Sequence, residues 1–130
     1  MNPLDYTIQP VSDYATQPAS QKLHDAGIVL KTKASWNWNG REYVLSPAGT
    51  LLPGFPAPSM AEAFWELPEY VTKDEVTYYR TLQSRQCYHF ASYRDDDGNA
   101  LEGSIFRNTN PIDALISLLV WLTEQEKVKA

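Results

Sequence analysis

Apolar residues are most concentrated near the C-terminus, where a run with helical spacing follows Asn110. Asn110 is a favourable N-cap, Pro111 suits the first helical position, and Asp113 places a negative charge where the helix dipole stabilises it. The apolar surface of this helix is interrupted only by a narrow polar wedge of Asp113, Ser117 and Glu124. We therefore predict a core helix over residues 110–122 that is covered on more than one side. A charged tail, residues 123–130, follows it.

Alternating apolar and polar residues over 28–46 predict a β-hairpin. Asn39-Gly40 is typical of a two-residue type I′ turn, because both residues adopt positive φ angles easily. Such a turn fixes three cross-strand pairs: Trp38 with Arg41, Trp36 with Tyr43, and Ala34 with Leu45. The predicted register gathers four apolar side chains on one face, namely those of Trp36, Trp38, Tyr43 and Leu45.

Boundary residues predict two shorter helices. The first spans residues 20–26 and ends at Gly27, which favours the left-handed conformation found after a helix C-terminus. The second begins with the capping-box pattern of residues 59–62 and ends before Pro68. Its apolar stripe is expected to lie in the core: Met60, Ala63, Phe64 and Leu67. Residues 47–58 contain two glycines and four prolines and are predicted to be a connector without secondary structure.

Residues 76–82 and 86–93 are rich in Tyr, Thr and Phe, and the turn at residues 95–99 joins the second of these segments to residues 101–106. Three sequential strands joined by short turns predict an antiparallel meander. We expect an α+β fold in the order α-β-β-α-β-β-β-α, with a largely antiparallel sheet of about five strands and helices packed on one face. Residues 1–19 contain three prolines and no periodic pattern, which predicts an extended or mobile arm. Residues 20–130 are predicted to form a single domain.

Composition and charge restrict the classes of function. The chain has 130 residues, is 43% hydrophobic and has a formal net charge of −5, which is ordinary for a small globular protein and argues against nucleic acid as a partner. No stretch is apolar enough for a membrane span, and the N-terminus lacks the charge and the apolar run of a secretory signal. A cytoplasmic location is therefore expected.

Three segments together resemble a family of small uncharacterised proteins encoded by bacteriophages and prophages: QKLHDAGI at residues 21–28, PAPSMAEA at residues 56–63 and NPIDALISLLVWL at residues 110–122. An LKEAGI-like helix end, a PAPT-AE-like capping segment and a DAL..LL.WL terminal helix occur in that family in this order. The similarity covers residues 20–126. It implies a phage or prophage origin, a bacterial host cell, and no established activity.

Candidate catalytic chemistry is limited to Cys87 and His89, which lie two residues apart on a predicted strand, so their side chains are expected to share one face. Their backbone separation is then about 6–7 Å. Nothing nearby supplies an orienting third group or an oxyanion hole, so we expect a partly buried, inert thiol. The acidic run at residues 95–99 fails the spacing of a calcium loop and is expected to be an exposed hairpin turn. We predict no catalytic residue, no metal ligand and no cofactor.

The leading hypothesis is an accessory protein without catalytic activity that acts through an unidentified protein partner or through self-assembly. Trp38 and Arg41 are the predicted partner-binding residues, because the helices should not cover the hairpin tip and because Trp and Arg are enriched in binding hot spots. One alternative is a small hydrolase or transferase that uses Cys87 and His89. Another is single-stranded nucleic-acid binding at the hairpin by stacking on Trp36, Trp38 and Tyr43 beside Lys31, Lys33 and Arg41.

Overall fold

The structure is a computed structural model that describes residues 13–49 and 52–129. Its helices are α1 (Gln17–Asp25), α2 (Met60–Glu66) and α3 (Pro111–Lys129), and its strands are β1 (Ala34–Trp38), β2 (Tyr43–Pro47), β3 (Gly54–Ala57), β4 (Tyr70–Lys73), β5 (Val76–Arg85), β6 (Tyr88–Arg94) and β7 (Phe106–Asn108). The strands form two antiparallel sheets, ordered β2-β1-β3 and β4-β5-β6-β7. The predicted α+β class is confirmed, whereas the single sheet is replaced by two smaller ones.

Helix α3 supplies many of the buried residues of the main apolar cluster. The Asn110 side-chain oxygen Oδ1 accepts hydrogen bonds from the backbone N–H groups of Ile112, at 2.8 Å, and Asp113, at 3.3 Å, as predicted for an N-cap. The helix contacts α1, α2, β6 and β7, so the expected cover on more than one side is confirmed. It continues beyond Leu122 to Lys129, because the Glu, Gln and Lys residues of the tail are good helix formers.

Asp113 fastens the N-terminal part of the described chain to α3. Its side chain is 8% exposed, and its carboxylate accepts hydrogen bonds from the Thr16 backbone N–H, at 3.0 Å, and the Thr16 hydroxyl, at 2.8 Å. The same Thr16 hydroxyl oxygen caps α1 by accepting from the N–H of Ala19 at 3.4 Å. The Asp113 carboxylate is therefore buried and forms a tether, by which we mean its two hydrogen bonds with Thr16, although the residue lies on the polar wedge of the helix.

The described part of the predicted arm is packed against the domain. Ala15 is fully buried, Tyr14 forms a β-bridge with Ser59, and α1 begins at Gln17. The predicted arm and domain boundary at residues 19 and 20 therefore lie too late in the chain, because Thr16 supplies an N-cap and Pro18 is tolerated in the first helical turn. Residues 1–12 of the predicted arm lie outside the described residues.

The β1 and β2 hairpin forms with a longer turn than predicted. Trp38 pairs with Tyr43 and Trp36 with Leu45, so the loop spans Asn39–Glu42, and the predicted pairing of Trp38 with Arg41 is wrong. The Asn39 side-chain oxygen accepts from the backbone N–H groups of two loop residues, Arg41 at 2.8 Å and Glu42 at 2.9 Å, which stabilises the longer turn. The register changes by two residues, so the predicted aromatic face is preserved.

Strand β3 lies where a connector was predicted, and it pairs with β1. The N–H of Trp38 donates to the Pro53 carbonyl at 2.8 Å. Hydrogen-bonded and non-hydrogen-bonded positions alternate along an antiparallel pair, so Pro56, three residues after Pro53, occupies a non-hydrogen-bonded position. An N–H at this position would point away from β1, so its absence in proline removes no hydrogen bond to β1. A Cβ atom at Gly54 would collide with the Trp36 carbonyl oxygen. Pro56 and Gly54 are therefore compatible with an edge strand at this position.

The second sheet differs from the predicted meander at both edges. Strand β4 was not predicted, and β7 spans Phe106–Asn108 rather than residues 101–106. Alternation along the strands defines an inner face, whose β6 and β7 strands contact α3. This face contributes Val71, Tyr78, Leu82, Ala91, Tyr93 and Phe106 to the apolar cluster that contains the buried residues of α3. The opposite side of the sheet is the outer face. Helix α2 has the predicted capping box and buries Ala63 and Leu67, whereas Met60 is 47% exposed and is not a core residue.

Tyr93 joins the inner face to the segment after α2. Its side chain is fully buried, and its hydroxyl donates to the Pro68 carbonyl at 2.7 Å. Burial raises the pKa of Tyr93 from 10.0 to about 12, against the opposing effect of Arg80.

This raised pKa predicts a loss of stability in alkaline solution. Because the folded-state pKa exceeds the unfolded value, the contribution of neutral Tyr93 is fully present below pH 10 and is lost as the pH rises towards 12. Denaturant unfolding should therefore give a free-energy difference between the wild type and Tyr93→Phe that shrinks over this interval. A difference that stays constant with pH would mean that Tyr93 ionises as easily in the folded chain as in the unfolded one.

Candidate binding surfaces

The hairpin tip carries a row of aromatic rings on one face of the β2-β1-β3 sheet. The ring of Trp38 meets that of Tyr43 edge-on, with 5.2 Å between centroids, and Tyr43 lies 5.2 Å from Phe55. Phe55 is in turn stacked on His24 of α1 at 5.9 Å. Trp38 at the end of this row is 42% exposed. The row therefore runs from the packed region to solvent.

Trp36 and Trp38 have different surroundings although they share a face. The indole N–H of Trp36 donates to the Ala15 carbonyl at 2.9 Å, and its ring packs against the buried cluster of Ala34, Leu45 and Ala57. Tyr43 is also partly buried. Of the three rings considered as stacking platforms for nucleic acid, Trp38 is therefore the one that presents a large exposed surface.

Arg41 is exposed within the Asn39–Glu42 loop. Its backbone N–H is held by the Asn39 side chain. The loop keeps Arg41 and Trp38 at the same end of the hairpin. They are not a cross-strand pair, because Tyr43 occupies the position opposite Trp38.

The outer face of the β4-β5-β6-β7 sheet is a second surface, which sequence reasoning did not identify. The strand register places four aromatic side chains on it, Tyr70, Tyr79, Tyr88 and Phe90, together with three arginines, Arg85, Arg94 and Arg107. Its other strand positions hold Thr, Ser and Gln. None of the four rings belongs to either apolar cluster of the described residues. The face is therefore outside the core although it is rich in aromatic residues.

Charge on the outer face differs from that of the whole chain. The described strands place three arginines and no Asp or Glu on it, whereas the chain has 16 acidic and 11 basic residues. The Arg107 guanidinium lies 4.6 Å from the centroid of the Tyr88 ring. An open groove of about 590 Å³ is lined by residues that include Gln83, Arg85, Phe90 and Arg94. The groove thus combines an aromatic ring with two cationic groups.

The structure separates Cys87 from the strand on which it was predicted. Arg85 pairs with Tyr88, so Cys87 lies in the turn between β5 and β6, where it is exposed. The expected partly buried thiol, and the expected shared strand face with His89, are therefore wrong. The positive φ of Gln86, at 55°, allows this tight turn. His89 instead faces Ser84 across the strands, with 2.7 Å between its Nδ1 and the Ser84 Oγ.

The acidic run at residues 95–99 forms a turn, as predicted. The Asp95 carboxylate accepts from the backbone N–H groups of Asp97 at 3.0 Å and Asn99 at 2.8 Å, and Gly98 has a positive φ of 84°. The carboxylate is thus directed at its own loop. Within residues 13–49 and 52–129, no three His, Cys, Asp or Glu side chains are arranged to hold a metal ion. No helix in that part of the chain is long and apolar enough to cross a membrane.

Comparison with known proteins gives no match among protein-family models, curated proteins or solved structures.

Proposed function

We propose that the protein is an accessory protein without catalytic activity, of the kind that bacteriophages and prophages encode, and that it binds a protein partner through the hairpin tip. The observation that carries this proposal is Trp38, which is 42% exposed although its ring is held edge-on against Tyr43. The phage setting rests on the three sequence segments that resemble such proteins.

The hairpin tip is suited to binding because the Trp38 ring and the loop backbone are held in place without a partner. An immobilised ring loses little conformational entropy on binding. The Asn39 side chain holds the loop through two backbone hydrogen bonds, and Tyr43 supports the Trp38 ring from one side. Trp and Arg are both enriched among binding hot spots, and the exposed Trp38 and Arg41 lie at the same end of the hairpin. The proposed site therefore consists of Trp38 and Arg41.

Trp38→Ala should remove partner capture and leave the domain folded. The loss of one aromatic pair should lower the free energy of unfolding by about 0.5–1.5 kcal/mol, whereas loss of a hot-spot side chain should weaken binding by about 2 kcal/mol or more. Trp36→Ala should instead destabilise the domain by about 3 kcal/mol, since it removes ring packing and a hydrogen bond. Thermal unfolding and capture from cells that naturally encode the protein would measure both effects.

Trp65→Ala is the matched control, because Trp65 is 70% exposed and lies on α2. It should leave capture unchanged. The proposal fails if Trp65→Ala and Trp38→Ala reduce capture equally, or if Trp38→Ala unfolds the domain as severely as Trp36→Ala. The partner is either a different protein or a second copy of this chain, and sedimentation of the wild type and of Trp38→Ala distinguishes the two. An oligomer that dissociates in the variant identifies the partner as a second copy of the chain.

A further inference from the structure

We propose that the outer face of the β4-β5-β6-β7 sheet binds single-stranded nucleic acid, with a base stacked on Phe90 and phosphates contacted by Arg85 and Arg107. This surface lies on a different sheet from the hairpin tip and takes a different class of partner. It can therefore fail or succeed independently of the proposed protein-binding site.

The aromatic rings of the outer face are spaced for stacking. Tyr88 and Phe90 lie on one strand with one residue between them, which places their backbones about 6–7 Å apart on the same side of the sheet. Phe90 is partly exposed and borders the open groove. Aromatic side chains on a four-stranded sheet can stack two or three unpaired bases. Tyr79 and Tyr70, which are 42% and 58% exposed, form a separate pair near the other end of the same face, where Tyr79 lies opposite Arg94.

Polar groups flank Phe90 on both neighbouring strands. Its cross-strand neighbours are Gln83 on β5 and Arg107 on β7, and Arg85 lies opposite Tyr88. A base on Phe90 would thus have an amide on one side for its polar edge and a guanidinium on the other. The Arg107 guanidinium is already aligned over Tyr88 at 4.6 Å, and guanidinium planes also stack on bases.

Local charge on the outer face favours phosphate. The net charge of −5 argues against nucleic acid only if the charge is evenly spread. The charged residues that the strands place on the outer face are all arginines, and the acidic residues that directly follow β4 and β6 lie at one end of the sheet, in the turn Asp74-Glu75 and in the loop after Arg94. Arg85, Tyr88 and Arg107 lie at the other end. This end is a local cationic site, which is where phosphates bind.

A single strand matches these groups better than other anions do. Base pairs in a duplex are already stacked and do not expose their faces to a protein ring. An acidic peptide would pair with the arginines but would gain nothing from Phe90 as a stacking surface. A ligand that has both phosphates and unstacked bases uses every group on this end of the sheet.

Fluorescence anisotropy of a labelled oligothymidylate of about ten nucleotides tests the proposal. At low salt, the full-length protein should bind it. Arg85→Ala/Arg107→Ala should weaken binding about tenfold or more and should reduce the salt dependence by about 0.7 for each phosphate that is no longer neutralised. Phe90→Leu keeps an apolar side chain but no ring, and it should weaken binding about 5- to 100-fold. Thermal unfolding of each variant would verify that the domain remains folded.

The matched control is Lys31→Ala/Lys33→Ala, which removes the same charge next to the hairpin. It should leave the affinity nearly unchanged. Absence of binding at low salt would overturn the proposal, as would equal losses in the lysine and arginine variants. Equal or tighter binding of a labelled oligoglutamate peptide would also overturn it and would assign the face to an acidic protein partner. If duplex DNA binds as tightly as the oligothymidylate, binding depends only on non-specific charge attraction, and the proposed stacking of a base on Phe90 is rejected.

Discussion

Leu119→Ala is expected to lower the free energy of unfolding by about 2–5 kcal/mol, the range for truncation of a buried leucine. Leu119 is 6% exposed in α3 and belongs to the main apolar cluster. Truncation leaves a cavity on a helix that α1, α2, β6 and β7 all contact, so the surroundings can collapse only partly into the space. Equilibrium denaturation of the wild type and the variant measures the loss.

Val29→Ala provides the control for this prediction. Val29 is 77% exposed, and its truncation should change stability by no more than about 0.5 kcal/mol. A loss below about 1 kcal/mol for Leu119→Ala would contradict the central position of α3, because a side chain in a close-packed core cannot be removed at so small a cost.

Asp113→Ala is expected to destabilise the protein by about 2–4 kcal/mol. The variant removes two hydrogen bonds to a buried carboxylate and leaves the Thr16 N–H and hydroxyl without their acceptor. Thr16 also caps α1, so loss of the tether should loosen the helix. Hydrogen exchange of the α1 amides should therefore accelerate more than that of α3.

Asp113→Asn separates the contribution of the negative charge from that of the hydrogen-bond acceptor. The amide oxygen can still accept one hydrogen bond from Thr16, so this variant should lose less stability than Asp113→Ala. If both variants unfold at the denaturant concentration of the wild type, the tether between residues 16 and 113 does not contribute to stability.

Helix boundaries could be predicted well where a single residue determines them. Asn110, the Ser59 capping box and Gly27 each satisfy backbone groups locally, so their sequence signals do not depend on the rest of the fold. The start of α1 was placed too late although Thr16 and Pro18 are compatible with a helix start, because the same residues also fit an irregular proline-containing arm. The hydrogen bonds between Thr16 and Asp113 favour the helix, but Asp113 is too distant in sequence for a local pattern to reveal them.

Strand prediction failed where turn chemistry was ambiguous. Asn39-Gly40 has the sequence of a two-residue turn, yet Asn39 uses its side chain to hold a longer loop. The tight turn between β4 and β5 occurs instead at Asp74-Glu75, with φ angles of 53° and 68°. Asp tolerates a positive φ angle, but Glu adopts one rarely, so the sequence Asp74-Glu75 gives no clear turn signal and no local signal marks β4.

The candidate surfaces differ in how far sequence could identify them. The exposure of Trp38 follows from its place beside a turn, so it could be predicted although the turn type was wrong. The outer face could not be predicted from the sequence, because Arg85, Phe90 and Arg107 come together only through the pairing of β5, β6 and β7. Net charge also concealed it, since an average over the chain carries no information about one face of one sheet.

Two separate surfaces would make the protein a connector between a nucleic acid and a protein. The hairpin tip lies on the β2-β1-β3 sheet, and the outer face lies on the β4-β5-β6-β7 sheet. An accessory protein of this kind needs no catalytic centre. Its specificity would come from Trp38 and Arg41 at one site and from the aromatic and arginine residues of the outer face at the other.

The most direct measurement is a titration of the isotope-labelled protein with oligothymidylate, followed by the chemical shifts of its backbone amides. We expect shifts concentrated in β5, β6 and β7 around Arg85, Phe90 and Arg107, with the amides of the hairpin tip unchanged. Shifts that are absent at low salt, or that cluster at Trp38 and the Asn39–Glu42 loop, would contradict the proposed division of the two surfaces.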